Sequence, residues 1–171
     1  FFLWAYLRAL AMCSPMGGTP YPSSAEEYRK VQEQNGLTEE AIALYRRWTK
    51  ESTRLYRAGG TTKATPEMLA TTAGDFQKSA LGVFQDIKAT RARAISGELE
   101  IVTIGPDLNA KAKSGTVAIT TCVDGRSLKF YRDRKKLRDG AAFSEDVVAR
   151  LIDGKLKLWS AYSEGVASCA K

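Results

Sequence analysis

The residues of this 171-residue chain that could do chemistry are three cysteines, a few scattered acids and phenols, and one dense basic run. The chain has no histidine. Histidine is the usual general base near neutral pH and the commonest metal ligand. Its absence excludes Ser–His and Cys–His nucleophilic systems and histidine-containing zinc sites. Cys13, Cys122 and Cys169 are too few and too scattered for a zinc knuckle. The sequence therefore predicts no metal, no cofactor and no catalytic set. Cys122 lies just before Asp124-Gly125, and Cys169 follows the final strand-like segment in SEGVASC. A cytosolic protein would keep both as thiols, whereas an exported one can tie its tail to a sheet by a disulfide. The alternative is two buried free thiols. If Cys13 carries lipid the remaining count is even, and we take the disulfide. In the chain-entropy model, closing a loop of about 47 residues stabilises by about 3–4 kcal/mol.

An acid and a phenol could together serve as base and hydrogen-bond donor to a developing oxyanion. Asp86, Tyr131 and Tyr162 are the candidates, although Asp86 reads as part of a wet helix face and Tyr131 as the end of an amphipathic strand. Arg126, Lys129, Arg132, Arg134, Lys135, Lys136 and Arg138 place seven cations in thirteen positions, with only Asp133 among them as an acid. With Phe130 and Tyr131 interleaved, such a patch could lie against nucleic-acid phosphates or an anionic lipid surface. A solvated hairpin is the commoner explanation for such a run. For an exported chain the membrane is the more natural acidic partner, each cation near an anionic leaflet contributing about 1 kcal/mol. The net charge of +7 agrees with acidic partners.

The chain opens with an apolar run, Phe1 to Met12, broken by Arg8. At ~1.5 Å per residue it reaches about 20 Å, short of the ~30 Å hydrocarbon core, and reads as the end of a longer signal or anchor. Leu10, Ala11, Met12 and Cys13 resemble a bacterial lipobox, with Met12 where Gly, Ala or Ser is usual, and Cys13 is the candidate lipid anchor. An uncleaved anchor with an incidental cysteine is the other reading. Residues 14–23, rich in Gly, Pro and Ser, form a linker. Residues 24–171 form the body.

The elements that must position these groups are helices first and strands after. Ser24 with Glu27 forms a capping box for a short helix ending at Asn35-Gly36. Thr38 caps a longer one, with Ala41, Leu44, Tyr45, Trp48, Leu55 and Tyr56 on its apolar face and Gly59-Gly60 as its stop. Thr65 and Pro66 open a third, whose buried face takes Leu69, Ala73, Phe76, Ala80, Val83, Phe84 and Ile87, with a break at Gly74. After Arg93 the period becomes that of strands. GELEIVTIG and SGTVAITTCV are two of them, and Asp124-Gly125 and Asp153-Gly154 read as hairpin turns joining strands near 116–123 to 126–132 and near 145–152 to 155–163. The pattern predicts an α+β fold with the helices on one face of a curved antiparallel sheet.

The aromatic-bearing helix, the strand carrying TTCVDG, the hairpin VVARLIDGKLKLWSAY and the terminal G-x-x-x-C together resemble exported lipoproteins of actinobacteria and their phages, of the nuclear transport factor 2-like superfamily. The resemblance covers residues 38–169. It implies a cone-shaped α+β domain with a pocket between helix and sheet, and a disulfide carried here by Cys122 and Cys169. Relatives of this kind accompany larger membrane complexes or block entry of other phages. The expected function is that of a non-catalytic, membrane-tethered accessory module at the outer face of the cytoplasmic membrane, binding another envelope protein or a small apolar ligand. An isomerase or hydrolase of the same fold is the alternative. A deep pocket holding a dehydrated carboxylate within hydrogen-bond reach of a tyrosine would rank that alternative first.

Overall fold

Ser24 starts the first helix as its sequence requires, its hydroxyl accepting the Glu27 N–H at 3.1 Å. The structure, a computed structural model, describes residues 24–110 and 116–169. The anchor-like segment, Cys13 and the linker lie outside the described residues. Helix α1 runs unbroken from Ala25 to Ala58. Asn35-Gly36, expected to separate two helices, lies inside it. The Thr38 hydroxyl, expected as a cap, instead donates to the Gln34 carbonyl one turn earlier at 2.9 Å. An interior glycine costs about 1 kcal/mol. The face that follows outweighs that cost, since Leu44, Tyr45, Trp48 and Leu55 are all buried and each such side chain contributes about 1.5–3 kcal/mol. The chain divides into two units between Gln32 and Glu33. In the first, residues 24–32 are exposed and carry a Glu26–Lys30 pair at 2.8 Å. The remaining elements belong to the second.

Helix α2 spans Pro66–Thr71 and α3 Gly74–Thr90. Thr65 caps α2 as expected, its hydroxyl accepting the Met68 N–H at 3.1 Å. The break expected at Gly74 is real: that residue sits at φ 57° and starts a new helix. The break also resets the helical phase, so the expected apolar face is only partly correct. Phe76, Phe84 and Ile87 are buried, Met68 is buried in place of Leu69, and Leu69 and Val83 are 53% and 49% exposed. α1 stops at Gly60, whose N–H donates to the Leu55 carbonyl at 2.9 Å with φ 81°. A side-chain carbon there would lie 2.2 Å from the Phe84 carbonyl oxygen, so glycine also lets α3 approach.

Strands β1 (Arg93–Ser96), β2 (Glu100–Pro106), β3 (Thr116–Asp124), β4 (Lys129–Arg132), β5 (Lys135–Asp139), β6 (Ala142–Ile152) and β7 (Lys155–Val166) complete the chain. They form two antiparallel sheets, β2-β3-β6-β7 and β1-β4-β5, rather than one. Asp153-Gly154 is the two-residue turn expected between β6 and β7, both residues at positive φ. Asp124-Gly125 is not a hairpin. β3 pairs along its whole length with β6, Asp124 opposite Ala142, and the β4–β5 hairpin is an excursion between them. Gly125 and Gly140 make the crossing possible, because a side chain at Gly140 would meet the Gly125 carbonyl at 2.0 Å. The turn of the excursion is Asp133-Arg134, two non-glycine residues at φ 49° and 68°.

The helices pack on the larger sheet through α3 and α2 against β7. Trp48 stands edge-on to Phe76 and Phe84, and Tyr56 bridges Phe84 to Phe130 of the smaller sheet at 5.0 and 5.3 Å. Lys157 closes the end of α2 by donating to the Leu69 and Ala70 carbonyls, each at 2.6 Å.

Candidate functional site

Strand alternation carries one row of side chains across the inner face of the larger sheet. Thr121 on β3 is opposite Glu145 on β6, which is opposite Ser163 on β7. A bulge between Val148 and Ala149 makes the last neighbour possible: Leu156 and Leu158 are buried before it, and after it Ala161 and Ser163 take the inner face. Tyr45 comes down from α1 onto this row. Its hydroxyl donates to one oxygen of Glu145, and the Ser163 hydroxyl donates to the other at 2.5 Å. The Thr121 hydroxyl donates to the Thr103 carbonyl at 2.9 Å.

Burial pushes the Tyr45 phenol well above its ordinary value, and the charge and hydrogen bond of Glu145 push it the same way. The proton therefore stays on the phenol. Tyr45, Glu145 and Ser163 form the polar end of a cavity of about 240 Å³ between α1, α3 and the larger sheet. Its walls are mainly apolar, with rings from Trp48, Tyr56, Phe76, Phe84 and Phe143, and the exposed Val83 of α3 faces into it. Asp75, in the first turn of α3, adds a second acid, and no lysine or arginine lines the space.

The acid and phenols expected for an enzyme are not here. Asp86 is on the exposed side of α3, Tyr131 lies on β4 opposite Lys136, and Tyr162 is 68% exposed on the outer face of β7. None lines the cavity and the fold does not bring them together. Tyr45, read from sequence only as core, and Glu145 and Ser163, not singled out, form the polar cluster instead. One signal was present: Glu145 interrupts the inward positions Phe143 and Val147 of an alternating strand.

Cys122 and Cys169 are bonded, with their Cα atoms 5.7 Å apart. Cys122 points away from the helices, between the buried Thr121 and Val123, so the bond holds the tail on the outer face of the sheet.

The basic run occupies the crossing and the β4–β5 hairpin, and much of its charge is engaged. Arg126 pairs with Asp124 at 2.6 Å and holds that carboxyl down to about 2, and it also donates to the Ala167 carbonyl of the tail. Lys129 and Lys136 share Asp139 at 3.2 and 3.0 Å. Arg138 lies over the Phe130 ring at 5.4 Å. Arg132, Arg134 and Lys135 project at the exposed tip.

Among the described residues there is no cluster of side chains able to hold a metal ion, and no helix is long and apolar enough to cross a membrane. No protein-family model matches the chain, and no curated protein matches it.

Proposed function

We propose that this chain is a non-catalytic, exported binding module of the cell envelope, tethered at the outer face of the cytoplasmic membrane through its amino-terminal segment and binding a small, largely apolar ligand. The observation that carries the reading is the cavity: apolar walls with one polar end are the usual construction of a small-molecule site. The Cys122–Cys169 bond supports export, because such bonds persist in oxidising compartments. Helices laid over an antiparallel sheet around a pocket agree with a nuclear transport factor 2-like cone, the finer fold assigned under this reading. A companion protein in a larger envelope complex, or a phage-exclusion role, is consistent with the tether.

The Tyr45–Glu145 contact favours a second reading, an isomerase or hydrolase working in the same cavity. Two features count against it. The single phenolic proton is committed to Glu145, and both carboxylate oxygens already accept hydroxyl donors. The phenol and the carboxylate are thus engaged with each other rather than offered singly to a substrate. The tip of the β4–β5 hairpin, with Arg132, Arg134 and Lys135, supports contact with anionic lipid headgroups as an accessory to the tether.

The test has two arms. Deleting residues 1–22 should leave the body folded and release it from membranes, and persistence of the truncated protein in the membrane fraction at high salt refutes the tether. Native mass spectrometry of the gently purified full chain should show a bound small molecule, lost when Val83→Trp fills the cavity. Mass equal to the bare polypeptide, with no uptake from added apolar compounds, refutes the binding reading.

A further inference from the structure

The cavity is lined by two acids and no base, in a chain with 26 lysines and arginines and 19 acids. Glu51, Glu67, Asp124, Asp133 and Asp139 each pair with an arginine or lysine. Glu145 does not: among the described residues its side-chain partners are the hydroxyls of Tyr45 and Ser163. A half-buried carboxylate without a cation is costly to keep in a fold. The rings of Trp48, Tyr56, Phe76 and Phe143 line the same cavity. Aromatic faces attract cations, and more strongly when water is excluded.

We infer that the cavity is built for a small organic cation, an ammonium group carried on a short apolar or aryl-alkyl body, with Glu145 as counter-ion and the aromatic rings holding the body. This rests on the reading of the cavity as a binding site and names its ligand class. An anionic ligand would meet Glu145 and Asp75 with no basic group to offset them. A neutral apolar ligand would leave Glu145 without a counter-ion. The volume of about 240 Å³ limits the size, being below the roughly 300–1,000 Å³ of sites for drug-sized ligands. The ammonium would add its hydrogen bonds to the free lone pairs of Glu145 without displacing Tyr45, since a carboxylate has about four acceptor positions and the two hydroxyls use two.

The experiment is calorimetric titration of the full chain with three probes of one shape: phenethylammonium, 2-phenylethanol and phenylacetate, all at pH 7. Phenethylammonium should bind at least about tenfold tighter than 2-phenylethanol, a gap of ~1.4 kcal/mol, and phenylacetate should bind weakest. Glu145→Gln should abolish the preference for the cation while 2-phenylethanol still binds. Should that variant fail to fold, Asp75→Asn, on the exposed first turn of α3, should weaken phenethylammonium alone by about two- to threefold. Equal affinity for the amine and the alcohol overturns the cation inference and leaves the binding reading standing. No binding of any probe overturns both.

Discussion

The phenol of Tyr45 and the carboxylate of Glu145, one hundred residues apart, share a hydrogen bond that fastens α1 to the centre of the larger sheet at the polar end of the cavity. Helix and strand meet through a charged acceptor in a partly dry setting, where such bonds are stronger than between neutral groups.

Tyr45→Phe should therefore destabilise the fold by about 1.5–3 kcal/mol, the range for hydrogen bonds to charged groups. Ser163→Ala, on the exposed rim, should cost less than that. Urea unfolding monitored by tryptophan fluorescence measures both. A Tyr45→Phe midpoint equal to wild type would show that the contact contributes nothing.

The same pair sets a pH dependence at the alkaline end. The folded state holds the Tyr45 proton more tightly than the unfolded chain does, so this stabilisation is complete below the ordinary phenol value of about 10 and is lost as pH rises beyond it. Burial shifts Tyr56 in the same direction. Unfolding midpoints between pH 8 and 11 should fall more steeply for wild type than for Tyr45→Phe. Parallel curves would count against the assignment.

Loss of the Cys122–Cys169 bond should cost about 3–4 kcal/mol, because its 47-residue span constrains the unfolded chain. Cys122→Ser with Cys169→Ser, compared with wild type by thermal unfolding, measures it, and reduction of wild type should reproduce the shift. A melting temperature unchanged by both treatments would refute the structural role.

Glu51 ties α1 to the cap of α2. It is nearly buried, accepts two bonds from Arg54 at 2.7 Å each, and accepts the Thr65 hydroxyl at 2.6 Å. The Arg54 hydrogen bonds, helped by Thr65, hold its carboxyl below the usual value. Its stabilisation is therefore present above the ordinary glutamate value and lost as pH falls from there through the lowered folded value. Thr65→Ala should cost about 1 kcal/mol through the lost cap, and Thr65→Ser should recover most of that. Denaturant melts at pH 7 and pH 3.5 check both: the Thr65→Ala deficit should shrink at the lower pH, and an unchanged deficit would detach Glu51 from the cap.

Gly74→Ala should destabilise by about 1–3 kcal/mol, since the new carbon would lie 2.7–2.8 Å from the Trp159 ring at a backbone φ of 57°. A shift in Trp159 emission should accompany it. Wild-type stability for this variant would mean that the Trp159 ring moves freely.

Local chemistry made several features legible in the sequence. Thr65 and Pro66 mark a helix start, Gly59-Gly60 a helix end and Asp153-Gly154 a two-residue turn, because each acts through backbone geometry within a few residues. The burial of Tyr45, Trp48, Phe76, Phe84 and Ile87 followed from helical spacing. Asn35-Gly36 misled because local propensity is weak against a long apolar face. Asp124-Gly125 misled because the pairing of β3 with β6 fixed where that strand ends, while the real hairpin turn, Asp133-Arg134, carries no glycine to announce it.

The α+β order of elements, the burial of Tyr45, Trp48, Phe76, Phe84 and Ile87, the exclusion of histidine chemistry and an expected bond between Cys122 and Cys169 were readable from the sequence. The division into two sheets and the meeting of Tyr45, Glu145 and Ser163 at one end of a cavity came from the tertiary fold alone. Periodicity reports which face of an element is buried, but not which element covers it. That depends on strand register, and here on a bulge that turns Ser163 toward Glu145.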